Sequence, residues 1–165
     1  MPNWIRPLNP QDDTEIQSAL AIFHQAFVDA WSEERLREVL GQRSVCAFLA
    51  GSGDTAAACL IEHRFRGGRR IVSVGVLQDS LGLGYATSLI REVQRRVLHS
   101  PSQQGVSAYI PSDHEPALRC FQKSGFQSLL TVPGYYDGRA AQLMSWSRDQ
   151  PCDSDSPAAQ SLRIV

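Results

Sequence analysis

Gly82 and Gly84 stand in the run Ser73 to Val93, SVGVLQDSLGLGYATSLIREV, between an apolar strand-like stretch and a helix-like one. Two glycines at this spacing let the backbone turn tightly with no Cβ between it and a ligand, so successive N–H groups can converge on one anion. A helix opening directly after the turn adds the positive end of its dipole. The chemistry is recognition of a phosphate, and a pyrophosphate-bearing cofactor is the first candidate. A plain structural turn uses the same glycines, so the reading needs support from other segments.

Other chemically capable residues are scattered. Arg64, Arg66, Arg69 and Arg70 flank Gly67-Gly68, as a solvated hairpin tip or as a contact for a phosphate or an acidic substrate. Glu62 and His63 are adjacent on a strand-like stretch, so alternation sends them to opposite faces. Either could serve as a base, and a solvated strand face explains both more simply. His24 falls among the apolar residues of the first helix and reads as structural. Cys46, Cys59, Cys120 and Cys152 form no C-x-x-C pair and have no His at ligand spacing, which argues against a metal site and against a disulfide framework. Such cysteine usage favours a reducing cytoplasm.

The elements that must position these residues follow from periodicity. The chain has 165 residues, a net charge of −1 and 42% hydrophobic residues, which suits one domain with its own core. That charge supplies no field to recruit nucleic acid. No stretch approaches membrane-spanning length, so no membrane partner is expected. Trp4 to Leu8 reads as a first strand. Asp12-Asp13 caps a helix carried by Ile16, Leu20, Phe23, Phe27 and Trp31, about five turns. A second helix starts at Ser32-Glu33-Glu34 and ends near Gly41. Ser44 to Ala50, Thr55 to Arg66 and Ile71 to Leu77 are strand-like, with a two-glycine turn at Arg66-Gly67-Gly68-Arg69. A third helix buries Ala86, Leu89, Ile90, Val93 and Val97. Val106 to Ile110 is a strand, Asp113 caps a fourth helix ending at Gly125, and Phe126 to Val132 and Arg139 to Trp146 are the last strands. The order predicts an α/β (α+β) fold, a mixed and mostly antiparallel sheet of about seven strands flanked by about four helices. Residues 1–148 form the domain, and the polar composition of 149–165 reads as a disordered tail.

Three segments in this order resemble the GNAT-superfamily acyl-CoA-dependent N-acetyltransferases from about Ile5 to Trp146, and among them most of all the ribosomal-protein N-terminal alanine type. The family pattern Gln/Arg-x-x-Gly-x-Gly/Ala falls on Leu81-Gly82-Leu83-Gly84-Tyr85-Ala86. Its Asn-x-x-Ala-x-x-Leu-Tyr-x-x-x-Gly-Phe falls on His114 to Phe126, and its late Tyr-Tyr, then Asp/Gly, then apolar strand ending in Met, falls on Tyr135-Tyr136-Asp137-Gly138 through Met144. The resemblance implies the GNAT fold and an enzyme using acetyl-CoA as co-substrate, with no metal. It implies cofactor contacts at Val74, Gly75 and Val76, at Leu81, Gly82, Leu83, Gly84, Tyr85, Ala86 and Thr87, and at His114 and Phe121.

The departures fall at chemical positions. Leu81 replaces a Gln or Arg that in the resembled family helps anchor the turn or a phosphate, His114 replaces an Asn that contacts the pantetheine arm, and Phe121 replaces the Tyr that commonly protonates the departing thiolate. A thiol pKa of about 8.5 keeps a CoA thiolate a tolerable leaving group near neutrality. Losing a general acid, typically worth roughly 10²–10⁴-fold, would slow transfer without forbidding it. Tyr109 stands where relatives often carry a Glu or His base, and it reads as a proton relay through water or as an aromatic lining the acceptor cleft. Tyr109, His114 and Tyr136 are the candidate catalytic residues, with one hydroxyl of Tyr135-Tyr136 expected to face the acceptor amine.

The expected reaction moves an acetyl group to a primary amine by direct attack in a ternary complex. An α-amine has a pKa of about 7.7–8.0, against about 10.4 for lysine, so a site without a strong base suits a peptide N-terminus. A small amine is the alternative acceptor, and an acetyl-CoA-binding sensor or interaction module is the alternative function. The expected location is the cytoplasm, as a monomer or homodimer.

Overall fold

Alternating burial wraps the chain around one sheet. In the computed structural model, which describes residues 1–27 and 31–150, β1 (Trp4–Pro7) leads to α1 (Asp13–Ala26) and α2 (Glu33–Leu40). A meander of β2 (Val45–Ser52), β3 (Thr55–Phe65) and β4 (Gly68–Val76) follows. Then come α3 (Tyr85–Leu98), β5 (Gly105–Pro111), α4 (Glu115–Lys123), β6 (Gln127–Tyr136) and β7 (Arg139–Ser147). The seven strands run β1-β2-β3-β4-β5-β7-β6. Neighbours are antiparallel except β4 and β5. This is the mixed, mostly antiparallel sheet with four flanking helices that the element order predicts.

Strand period two divides the core. Phe48, Leu60, Ile71, Ala108 and Met144 turn to one face, under Leu89, Ile90, Val93 and Val97 of α3 and Phe121 of α4. Leu49, Cys59 and Ile61 turn to the other, under Ile16, Leu20, Phe23 and Leu36 of α1 and α2. Burial pushes the Cys59 thiol far up, which fits an inert core sulfur rather than a reactive one. Gly75 admits α1 directly onto β4, since a Cβ there would lie 3.0 Å from Phe23 Cδ1 and 3.3 Å from Ile22 Cγ2.

Several local expectations shift. α1 stops at Ala26 and Phe27 is extended (φ −132°), so the helix is shorter than the spacing through Trp31 predicts. Trp31 lies beyond the helix and its ring still packs on Phe23, 6.4 Å between centroids; that packing accounts for the period without a helix. His24 Nε2 lies 2.9 Å from the Trp31 carbonyl, a structural role. The β3–β4 turn is Arg66-Gly67, one residue earlier than read, because Gly67 takes the left-handed conformation (φ +90°) while Gly68 pairs with Phe65. His114, not Asp113, caps α4, and Asp113 instead reaches Arg139. The expected tail overlaps the described residues only at Asp149 and Gln150, and Gln150 Nε2 donates to the Gly125 carbonyl. Residues 151–165 lie outside the described residues.

Candidate active site

The parallel ladder between β4 and β5 is short. It pairs Gly68, Arg69, Arg70 and Ile71 with Gly105, Val106, Ser107 and Ala108 and goes no further. Past that point β4 continues along β3 to Val76, and β5 continues along β7 to Pro111. The strands diverge, and the β4 edge from Val72 to Val76 faces a wedge where a sheet neighbour would otherwise take its hydrogen bonds. Backbone polar groups left this way require some partner.

The chain leaves β4 through a 3-10 turn at Gln78–Ser80 and reaches the glycine turn. Gly82 and Gly84 both hold positive φ, +75° and +85°, which L side chains rarely adopt. A Cβ at Gly82 would meet no atom within 4 Å, and one at Gly84 would meet only the flexible end of Met1. Open space therefore lies in front of Gly82, while the end of the Met1 side chain stands in front of Gly84. Gly84 is the N-cap of α3 and offers no side-chain acceptor, whereas Asp12, Ser32 and His114 cap α1, α2 and α4. The N–H groups of the first turn of α3 are thus free for an outside anion. Leu81 and Leu83 are about half exposed at the rim, 54% and 52%. Thr87 points its hydroxyl toward Cys120 Sγ, at 3.5 Å, joining α3 to α4 beside the wedge.

On the face shared with α1, β5 turns out Ser107 and Tyr109 while Val106, Ala108 and Ile110 enter the core. Aromatic rings wall this side. Tyr109 stacks on Tyr135 at 4.5 Å, with planes 13° apart, and Tyr136 meets Tyr135 edge-on at 4.8 Å. The Tyr136 hydroxyl donates to the Tyr109 carbonyl at 2.7 Å, which ties the tip of the β6–β7 hairpin to β5. Burial, then the neighbouring Tyr135, pushes the Tyr136 phenol up, so this hydroxyl stays protonated at neutral pH. Tyr135 is the more open ring, 47% exposed.

The remaining predicted residues lie at α4 and on β3. The His114 ring accepts the Ala117 N–H at Nδ1, 3.2 Å, so only Nε2 is left for another partner. Phe121 is 1% exposed and meets Phe126 edge-on at 5.0 Å; its ring is packing within the core and carries no acid. Glu62 is not on a solvated face. It is fully buried on the α3 side, where Oε1 accepts from Arg69 Nη1 at 2.5 Å and Oε2 has no partner among the described residues. Burial raises its carboxyl, and the Arg69 guanidinium only partly opposes that. Sequence reading missed Arg70 as a separate actor. Strand alternation on β4 could have parted it from Arg69, since adjacent strand residues face opposite ways.

Comparison with known proteins accords with this architecture. No curated protein matches the sequence. Among solved structures, the chain is similar to the ribosomal-protein-S18-alanine N-acetyltransferase from Escherichia coli, at 18% identity and TM-score 0.75, over 92% of this chain and 97% of that one. It is similar to Arabidopsis thaliana NAA60 in complex with acetyl-CoA, at 18% identity and TM-score 0.75, over 89% and 99%. Ard1 from Thermoplasma volcanium aligns at 18% identity and TM-score 0.76, over 87% and 96%. At such identity the likeness is one of fold. The family model adds sequence: residues 16–126, from α1 through the glycine turn to the end of α4, match the acetyltransferase (GNAT) family, and the chain belongs to that family.

Proposed function

We propose that the protein transfers the acetyl group of acetyl-CoA to a primary amine, with a peptide N-terminus as the acceptor. The observation that carries this reading is the early end of the β4–β5 ladder directly beside an uncapped glycine turn. Val74, Gly75 and Val76 would offer backbone groups to the amide-bearing arm of the co-substrate. Gly82 through Thr87 and the first turn of α3 would take its pyrophosphate with main-chain N–H groups, which need no particular side chain. The Leu81 departure therefore costs a side-chain contact and leaves the cradle in place. NAA60, whose fold the chain shares, was solved with acetyl-CoA, which supports the same co-substrate here.

In the reaction the amine lone pair attacks the thioester carbonyl, the C–S bond breaks, CoA leaves as thiolate and the amine nitrogen releases a proton to water. The β4 edge and the turn would hold the thioester in place, and positioning alone can contribute several kcal/mol. Phe121 supplies no proton, and a thiolate with pKa of about 8.5 leaves without one. Tyr109 and Tyr135 would wall the acceptor. Tyr136 acts through Tyr109 and holds the mouth in shape.

Acetyl-CoA should raise the melting temperature, as a ligand selective for the native state does. Free thiol should appear when peptides with unblocked N-termini are added, faster as pH rises through amine deprotonation. Acetyl-CoA without any thermal shift would overturn the cofactor assignment. Equal rates for an internal lysine in a blocked peptide would overturn the acceptor.

A further inference from the structure

We propose that Arg70 recognises a carboxylate carried close to the acceptor amine, so that this acetyltransferase selects acidic acceptors. The proposal rests on the acetyl-transfer reading and narrows its acceptor. The hairpin arginines divide their work. Arg69 turns inward to Glu62 and Gln103, and Arg64 donates to the Arg43 carbonyl. Arg70 goes the other way. Its guanidinium lies over the Tyr109 ring, 5.1 Å from the centroid, and 5.9 Å from that of Phe65. Its one side-chain hydrogen bond is a long one, Nε to Ser107 Oγ at 3.4 Å, and it forms no ion pair among the described residues.

Position makes this cation relevant. Arg70 pairs with Ser107, and the next pair, Ile71 with Ala108, is the last before the strands part. One residue of strand spans about 3.3 Å, so the charge stands close to the wedge apex where the thioester would lie. Ile71 is buried on the α3 side, which leaves Arg70 on the aromatic face with Tyr109 and Tyr135. Across β3 its partner is His63, another basic group. The cation–π contact with Tyr109 holds the guanidinium over the ring while both terminal nitrogens stay available, a fork suited to a carboxylate. The same charge repels an acceptor with a second cation beside its amine. The carboxylate can come from an acidic side chain early in a peptide or from the α-carboxyl of a free amino acid.

The test uses the full chain, acetyl-CoA and peptides identical except for Asp, Ala or Lys at the second position, alongside free amino acids and their amides. The Asp peptide should exceed the Ala peptide in kcat/KM by about two- to fivefold, the range of an exposed ion pair. Arg70→Gln should level the series, Arg70→Glu should favour the Lys peptide, and Arg66→Gln, in the exposed turn, should change nothing. Free amino acids outpacing their amides would locate the carboxylate at the α-position. Equilibrium binding of the same peptides with CoA present reads the preference without turnover. Charge-selective binding with no product would overturn the transfer reading and leave Arg70 in its role. Equal rates and binding for Asp and Ala peptides, a preference that survives Arg70→Gln in a folded variant, or no binding of any acceptor would overturn the role of Arg70.

Discussion

The two ends of the β4–β5 pair solve opposite problems. At the closed end side chains and tight glycines lock the strands. Glu62 and Arg69 form a buried pair that continues to the half-buried Gln103, a Cβ on Gly68 would lie 2.9 Å from the Gly105 carbonyl, and a Cβ on Gly105 would lie 2.4 Å from that of Trp146. At the open end, from Val72 to Val76, nothing plays that part, and backbone groups remain for a guest. A parallel sheet would ordinarily zip along its whole length. Here packing is concentrated where it pins the strands together, and is withheld along the edge proposed to take the co-substrate.

The strongest way to break this contrast is at the lock. Glu62→Ala leaves Arg69 buried with no acid, and should cost about 3–5 kcal/mol in denaturant unfolding, the usual penalty for removing one partner of a buried pair. A pH series sharpens it. The folded Glu62 carboxyl lies above its ordinary 4.5 because burial disfavours the charged form. The native state then binds the proton more tightly than the unfolded one, so stability from this group falls as pH rises from 4.5 toward the folded value. Glu62→Gln should remove that slope, and a slope unchanged in the variant would show that another group titrates.

At the open end Gly84→Val tests the proposed pyrophosphate site. A β-branched residue at φ +85° strains the backbone by about 1–3 kcal/mol, and its methyls would enter the space before α3. The variant should melt earlier and lose the acetyl-CoA shift. A full shift in the variant would move the cofactor away from this turn.

Phe121→Tyr tests whether the missing acid can be restored. With Phe121 buried against Phe126, a hydroxyl without a partner should cost about 1–3 kcal/mol. Lower stability with no gain in rate is the expected result; a faster enzyme would mean the ring edge reaches the departing sulfur. The smallest effect belongs to Tyr136→Phe, which deletes the bond to the Tyr109 carbonyl and should cost about 0.5–1.5 kcal/mol. Its rate should drop while acetyl-CoA binding stays normal.

Periodicity and turn chemistry expose most of this fold before any coordinates. The meander, the glycine turn and the helix that follows all come from spacing alone, because each is set by neighbours within a few residues. What spacing misses is what depends on contacts across the sheet. Alternation parts Glu62 from His63 and cannot say which of them meets Arg69 beneath α3. Gly67 and Gly68 look alike in a sequence, yet one takes the turn's positive φ and the other is a strand residue pressed on Gly105. The Asp113 cap fails for a similar reason: its carboxylate finds Arg139, and the neighbouring imidazole is left to cap α4. At the site, the backbone half was visible as glycines, whereas the stacked row of Arg70, Tyr109 and Tyr135 joins three separate strands.

The β4–β5 ladder also has a bearing on how the chain reaches its native state. β2, β3 and β4 follow one another through two tight turns, and β6 and β7 form their own hairpin, so each group of strands can assemble from sequence neighbours. Among the described residues β5 joins the two groups, through four parallel pairs with β4 and seven antiparallel pairs with β7. Pairing across such a separation carries a loop-closure cost before it is rewarded, which favours late formation. The wedge is the far side of that seam, and so comes into being only when the two halves meet. Gly68→Ala, whose Cβ would lie 2.9 Å from the Gly105 carbonyl across this seam, should then slow refolding only weakly and speed unfolding strongly, as stopped-flow kinetics would show. A chain caught halfway would have its helices and hairpins and no wedge beside its glycine turn.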